Sequence, residues 1–146
     1  MKQMKPIHIL LIEDNEGDIL LTKEALEEKK IANKLSIVKN GRDGVDFMLK
    51  RGKFQEAETP DLVLLDINLP LKSGHEVLKE IKENSATKQV PVIILTTSSS
   101  ESDITESYRN YANCFITKPV DVDDFLSAIG MIEDFWLSIV MLPKNK

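Results

Sequence analysis

The sequence predicts a parallel α/β fold. Five short runs rich in Ile, Val and Leu alternate with longer stretches of helical spacing. The runs are nearly continuous rather than alternating, which suits strands covered on both faces. Strands separated by helical patterns imply right-handed crossovers within one parallel sheet. Acidic, hydroxyl and lysine residues collect just past the ends of these runs, where ligands sit in a sheet of this kind.

The first run is Ile7-His8-Ile9-Leu10-Leu11-Ile12, with His8 as its polar exception. A helical stretch follows, with Ile19, Leu20, Ala25, Leu26 and Ile31 on one side and Glu24, Glu27, Glu28 and Lys29 on the other. The second run, Leu35-Ser36-Ile37-Val38, has Ser36 as its exception and leads to a helix carrying Val45, Phe47, Met48 and Leu49. Arg51 to Pro60 reads as the longest loop and as a surface insertion. The third run is Leu62-Val63-Leu64-Leu65, followed by a helix marked by Val77, Leu78 and Ile81. The fourth is Val92-Ile93-Ile94-Leu95, and Ile104, Tyr108 and Tyr111 mark a weaker helix after it. The fifth is Cys114-Phe115-Ile116, and a long apolar helix runs from Val122 to Leu142, with Asp121 placed as N-cap and Pro143 as a stop.

A chain of 146 residues and 16.5 kDa is one domain, large enough to bury a core without disulfides or metals as staples. The hydrophobic set at 42% and the charged set at 29% exclude a disordered chain. A net charge of −5 without any basic run argues against non-specific nucleic-acid binding. The single cysteine, Cys114, cannot form an intramolecular disulfide and reads as a small buried apolar residue. The N-terminal apolar stretch is too short for a signal sequence, and no run approaches the roughly 20 residues that span a bilayer. The expected location is cytoplasmic, away from membranes.

The residues at the strand ends carry the chemistry. The first strand ends in Glu13-Asp14, the third in Asp66, the fourth in Thr96-Thr97-Ser98 and the fifth in Lys118-Pro119. Three carboxylates at one edge repel each other unless a cation lies among them, and hard oxygen donors of this kind suit Mg²⁺. A lysine at the rim is a compact donor to an anionic oxygen, and a threonine hydroxyl serves the same group. These parts describe a site for phosphoryl chemistry. The cluster holds no cysteine or histidine, so the nucleophile is expected among the carboxylates.

Ile12-Glu13-Asp14, Leu64-Leu65-Asp66-Ile67-Asn68-Leu69-Pro70 with Gly74, Leu95-Thr96-Thr97 and Lys118-Pro119 occur in one order along essentially the whole chain. In this the sequence resembles the receiver domain of two-component response regulators. The resemblance implies a doubly wound, flavodoxin-like sheet of five parallel strands in the order 2-1-3-4-5 with five helices. It implies that Asp66 accepts a phosphoryl group from a sensor histidine kinase, and that the domain assists only its own phosphorylation and dephosphorylation. Glu13, Asp14, Asp66 and the backbone carbonyl of Asn68 would hold Mg²⁺, while Thr96 and Lys118 would bind the phosphoryl oxygens. Thr96 and Phe115 would form the switch pair. Phe115 stands where a tyrosine is more familiar and Glu13 where an aspartate is commoner.

The run Ile132 to Pro143, the insertion containing Phe54 and the stretch Glu13 to Asp18 resemble the small response regulators that partner phytochromes, which makes a phytochrome-like kinase the expected partner. The receiver would fill the chain from Pro6 to Pro143, leaving no output domain. The last helix is apolar on more than one face, and Phe135, Trp136 and Ile139 suggest a homodimer surface. Two rival readings are a receiver that docks without being phosphorylated and a flavodoxin-like cofactor binder. The second needs a phosphate-cradling loop after the first strand, where this chain has Glu13-Asp14-Asn15-Glu16-Gly17-Asp18.

Overall fold

Side chains of a strand point alternately to its two faces, so an unbroken apolar run fills two layers at once. The computed structural model describes residues 7–28, 33–96, 114–118 and 123–124. They form β1 (Ile7–Ile12), α1 (Glu16–Glu28), β2 (Asn33–Val38), α2 (Gly41–Leu49), β3 (Leu62–Asp66), α3 (Gly74–Glu83), β4 (Val92–Thr96) and β5 (Cys114–Thr117). The five strands make one parallel sheet in the order β2-β1-β3-β4-β5. Ile7, Ile9 and Leu11 of β1, Leu62 and Leu64 of β3, Ile93 and Leu95 of β4 and Ile116 of β5 share a buried cluster with Ile19, Ala25 and Leu26 of α1. The alternate residues Leu10, Ile12, Val63, Leu65, Val92 and Ile94 join Val45, Phe47 and Met48 of α2 and Val77, Leu78 and Ile81 of α3. The sheet is thus covered on both faces, as the expected doubly wound arrangement requires.

α1, α2 and α3 each begin on a side-chain cap. Asn15 Oδ1 accepts the Asp18 N–H at 2.9 Å, Asn40 Oδ1 accepts the Asp43 N–H at 2.7 Å, and Ser73 Oγ accepts the Glu76 N–H at 3.3 Å. Each such cap is worth about 1 kcal/mol. On α1 the buried stripe is Ile19, Thr22, Ala25 and Leu26. Leu20, expected on that stripe, is 56% exposed, because a step of one residue turns it about 100° away from Ile19. The polar Thr22 takes the place that periodicity reserves.

The stretch from Arg51 to Pro60 is more than a surface insertion. A 3-10 turn at Gly52–Phe54 brings the Phe54 ring within 5.4 Å of the Phe47 ring centroid, and Phe54 and Ala57 pack against the α2–α3 side of the core. The fourth helix expected around Ile104 to Tyr111 lies outside the described residues. So does the last helix apart from Asp123 and Asp124, which are helical, and with it the dimer surface at Phe135, Trp136 and Ile139. Among the described residues no helix is long and apolar enough to cross a membrane.

The polar exceptions in β1 and β2 find each other. Both have the parity of the α2–α3 face, and His8 Nε2 lies 2.8 Å from Ser36 Oγ. The His8 ring meets Phe47 edge-on with centroids 6.0 Å apart. Burial lowers the His8 pKa below its ordinary 6.5, and the nearby Lys34 lowers it further. A base whose folded pKa is lowered favours the fold while neutral, so its contribution is present above 6.5 and is lost as the pH falls through the folded value. Replacing His8 with Leu is therefore expected to flatten the decline in urea midpoint between neutral pH and the acid side. Parallel declines in the two proteins would contradict this assignment.

Candidate metal centre at the carboxyl edge of the sheet

Register and parity assemble this site. Ile12 pairs with Leu65, so the next residues along β1 and β3, Glu13 and Asp66, stand level. Asp66 pairs with Leu95 of β4, and Thr96 with Thr117 of β5, so Lys118 leaves the sheet at the same edge. Glu13 continues the parity of Ile9 and Leu11, Asp66 that of Leu62 and Leu64, and Lys118 that of Ile116. All three therefore emerge on the α1 side of the sheet.

Glu13 and Asp66 are buried, at 0% and 4% exposure, whereas Asp14 is exposed. Glu13, Asp14 and Asp66 each bring a carboxylate oxygen within 4.8 Å of the others. The Lys118 ammonium lies 2.6 Å from Glu13 Oε2, 2.9 Å from Asp18 Oδ2 and 3.4 Å from Asp66 Oδ1. The Asn15 N–H donates to Glu13 Oε1 at 3.1 Å, and the Asn68 N–H reaches Asp66 Oδ1 at 3.4 Å.

Burial raises the pKa of both Glu13 and Asp66, against the opposing pull of Lys118. Burial alone would lower the lysine, but Glu13, Asp18 and Asp66 outweigh it and the net shift is upward. Glu13, Asp14 and Asp66 gather beside a single ammonium, which leaves negative charge in excess at this point. A hard divalent cation fits that excess and this all-oxygen donor set.

The loop from β3 to α3 is set by close backbone approach. The Gly74 N–H donates to Ile67 O at 2.8 Å, and a Cβ on Gly74 would lie 2.3 Å from Asp66 O and 2.6 Å from Ile67 Cα. The Gly41 N–H donates to Pro70 O at 3.1 Å, which ties the loop to the start of α2.

The structure brings Glu13, Asp14, Asp66 and Lys118 together and puts the Asn68 backbone beside them. Thr96 closes β4, and Phe115 lies in β5 opposite Ile94. The side chains of these two lie outside the described residues. Asp18 is the site residue that the sequence reading passed over.

A doubly wound parallel sheet with a buried acidic cluster and a lysine at its carboxyl edge defines a class of metal-assisted phosphoryl acceptors. The chain belongs to the response regulator receiver domain family, whose model matches residues 9–130. Response regulator Rcp1 of Synechocystis sp. is 41% identical over 138 residues, which cover 94% of each chain. The Mn²⁺-bound crystal structure of Rcp1 superposes with a TM-score of 0.77 at 42% identity, covering 95% of this chain and all of that one. The phosphorylated cyanobacterial phytochrome response regulator RcpA gives 0.77 at 42% identity, covering 90% of this chain and 94% of its own. The bacteriophytochrome response regulator AtBRR gives 0.84 at 34% identity, covering 98% and 100%.

The chain is therefore a receiver domain related to phytochrome-associated response regulators. Its acidic cluster is poised for metal-assisted phosphoaspartate chemistry in two-component signalling. Receiver domains act on their own phosphorylation state and turn over no outside substrate. The family settles the choice against a flavodoxin-like cofactor binder.

Because both atoms facing a Gly74 Cβ are backbone, the Gly74→Ala variant must move the end of β3 or the start of α3. It is expected to lose about 1–3 kcal/mol of stability, read from urea denaturation. An unchanged midpoint would show that this approach is looser than described.

Proposed function

We propose that this receiver accepts a phosphoryl group on Asp66 from the phosphohistidine of a sensor histidine kinase. The observation that carries the reading is the convergence of the Glu13, Asp14 and Asp66 oxygens within 4.8 Å beside the Lys118 ammonium. An Asp66 carboxylate oxygen attacks phosphorus, the bond from phosphorus to the histidine nitrogen breaks, and the leaving imidazole keeps that electron pair. Glu13, Asp14, Asp66 and the Asn68 backbone carbonyl are the groups to hold Mg²⁺, which when bound neutralises charge on the phosphoryl oxygens. The Lys118 ammonium and the Thr96 hydroxyl take the remaining oxygens, and Thr96 with Phe115 transmits the change. Mn²⁺ is bound by the relative Rcp1; Mg²⁺ is the proposal here, since both are hard ions that take carboxylate and water ligands.

The relatives RcpA and AtBRR are phytochrome and bacteriophytochrome response regulators, which supports a phytochrome-type kinase as the partner. The apolar pattern of residues 122–142 supports self-association through Phe135, Trp136 and Ile139.

With acetyl phosphate and Mg²⁺, the wild-type chain is expected to take up a hydroxylamine-sensitive label, and Asp66→Asn to take up none. Label of that kind on the variant would overturn the assignment. Light scattering at tens of micromolar protein tests the second part, with the mass of a dimer expected and a monomer at every concentration refuting it.

A further inference from the structure

Lys118 is shared unequally among its partners. An ammonium has three N–H donors, and three carboxylates surround this one. Asp18 Oδ2 at 2.9 Å is nearer than Asp66 Oδ1 at 3.4 Å, so the lysine leans toward α1 and away from the residue read as acceptor. The backbone of Asp18 is fixed from two sides. Its N–H is capped by Asn15 Oδ1 at 2.9 Å, and the next residue, Ile19, is buried in the core against the sheet.

We propose that Asp18 is a positioning residue of the phosphoryl site, holding the Lys118 ammonium on the α1 side so that Asp66 stays open to metal and phosphoryl donor. Without Asp18, the ammonium keeps only Glu13 and Asp66 as partners and closes onto Asp66. It then competes with the divalent cation for the same oxygen and draws electron density from the nucleophile. The effect belongs first to metal affinity and only secondarily to the chemical step, because saturating metal displaces the lysine from Asp66. This inference rests on reading Asp66 as the acceptor, but its main readout does not.

The experiment is calorimetric titration of the purified chain with Mg²⁺, alongside the rate of labelling by acetyl phosphate as a function of Mg²⁺. Asp18→Asn keeps the shape of the side chain and removes its charge. It is expected to weaken Mg²⁺ binding about tenfold, with a much smaller loss in labelling rate at saturating Mg²⁺. Asp18→Glu, which restores the charge, is expected to recover most of the affinity. Glu16→Gln removes a charge from the same turn of α1, but there the carboxylate pairs with Lys39; its Mg²⁺ affinity is expected to match wild type. Unchanged affinity in Asp18→Asn overturns the proposal. So does an equal loss in Glu16→Gln, because the effect would then be the general field of the helix turn. A wild-type chain that binds Mg²⁺ but takes no label on Asp66 would refute the acceptor reading, while the titrations would still decide the part played by Asp18.

Discussion

Glu13 and Asp66 end two adjacent strands and are both almost fully withdrawn from water. Two carboxylates so placed cannot both be ionised unless a cation stands between them. Among the described residues that cation is Lys118, and much of the fold follows from where it must be. β5 has to leave the sheet at the level of β3, with a parity that turns Lys118 toward α1. α1 has to start directly after β1, so that its first turn closes over the lysine. The ion cluster is therefore a constraint on register as much as a consequence of it. β1 and β3 are buried on both faces and almost wholly apolar, so hydrophobic patterning alone tolerates a slip of one residue. A slip would turn Glu13 or Asp66 to the opposite face and strand its charge among the core side chains of α2 and α3.

The other face of the sheet supplies the mechanical support. α3 begins so close to the end of β3 that only a glycine at position 74 fits over Asp66 O, and α2 begins against the loop that carries Pro70. β3 is thus held at its carboxyl end by backbone contact instead of by flexible side chains. Such contact transmits small displacements because the packed backbone has no slack. At the amino end of the sheet, His8, Ser36, Phe47 and Phe54 form a smaller partly polar cluster that joins β1 and β2 to α2 and the 3-10 turn.

The strands and the identity of the acidic cluster were legible because each rests on a short-range signal, whereas the strand order followed only from the family resemblance. Runs of Ile, Val and Leu mark the strands, and the residue after each run marks the site. Asp18 was not legible as a site residue, because its partner Lys118 is 100 residues away and the two meet only once β5 has a parity and a register. His8 and Ser36 looked like separate flaws in two strands for the same reason. They are one hydrogen bond, visible only when β1 and β2 are laid side by side. Phe54 hid in a stretch whose polar composition reads as surface, although one aromatic residue was enough to fold it back on Phe47. Leu20 misled in the other direction, since apolar character placed it inwards while the turn of α1 carried it out.

The three partners of Lys118 differ in what they lose when the lysine moves. A phosphoryl group on Asp66 would add about 1.5 to 2 negative charges beside the ammonium, more than the single N–H that faces Asp66 can meet. One of its bonds must yield. Glu13 is fully buried, so breaking that pair would leave a carboxylate with no water to replace the lysine. The Asp18 side chain keeps 29% exposure and can take water instead. The Lys118–Asp18 bond is therefore the one the site can release at least cost. A contact that orients the lysine before phosphorylation is also, by its exposure, the contact best suited to let it go afterwards.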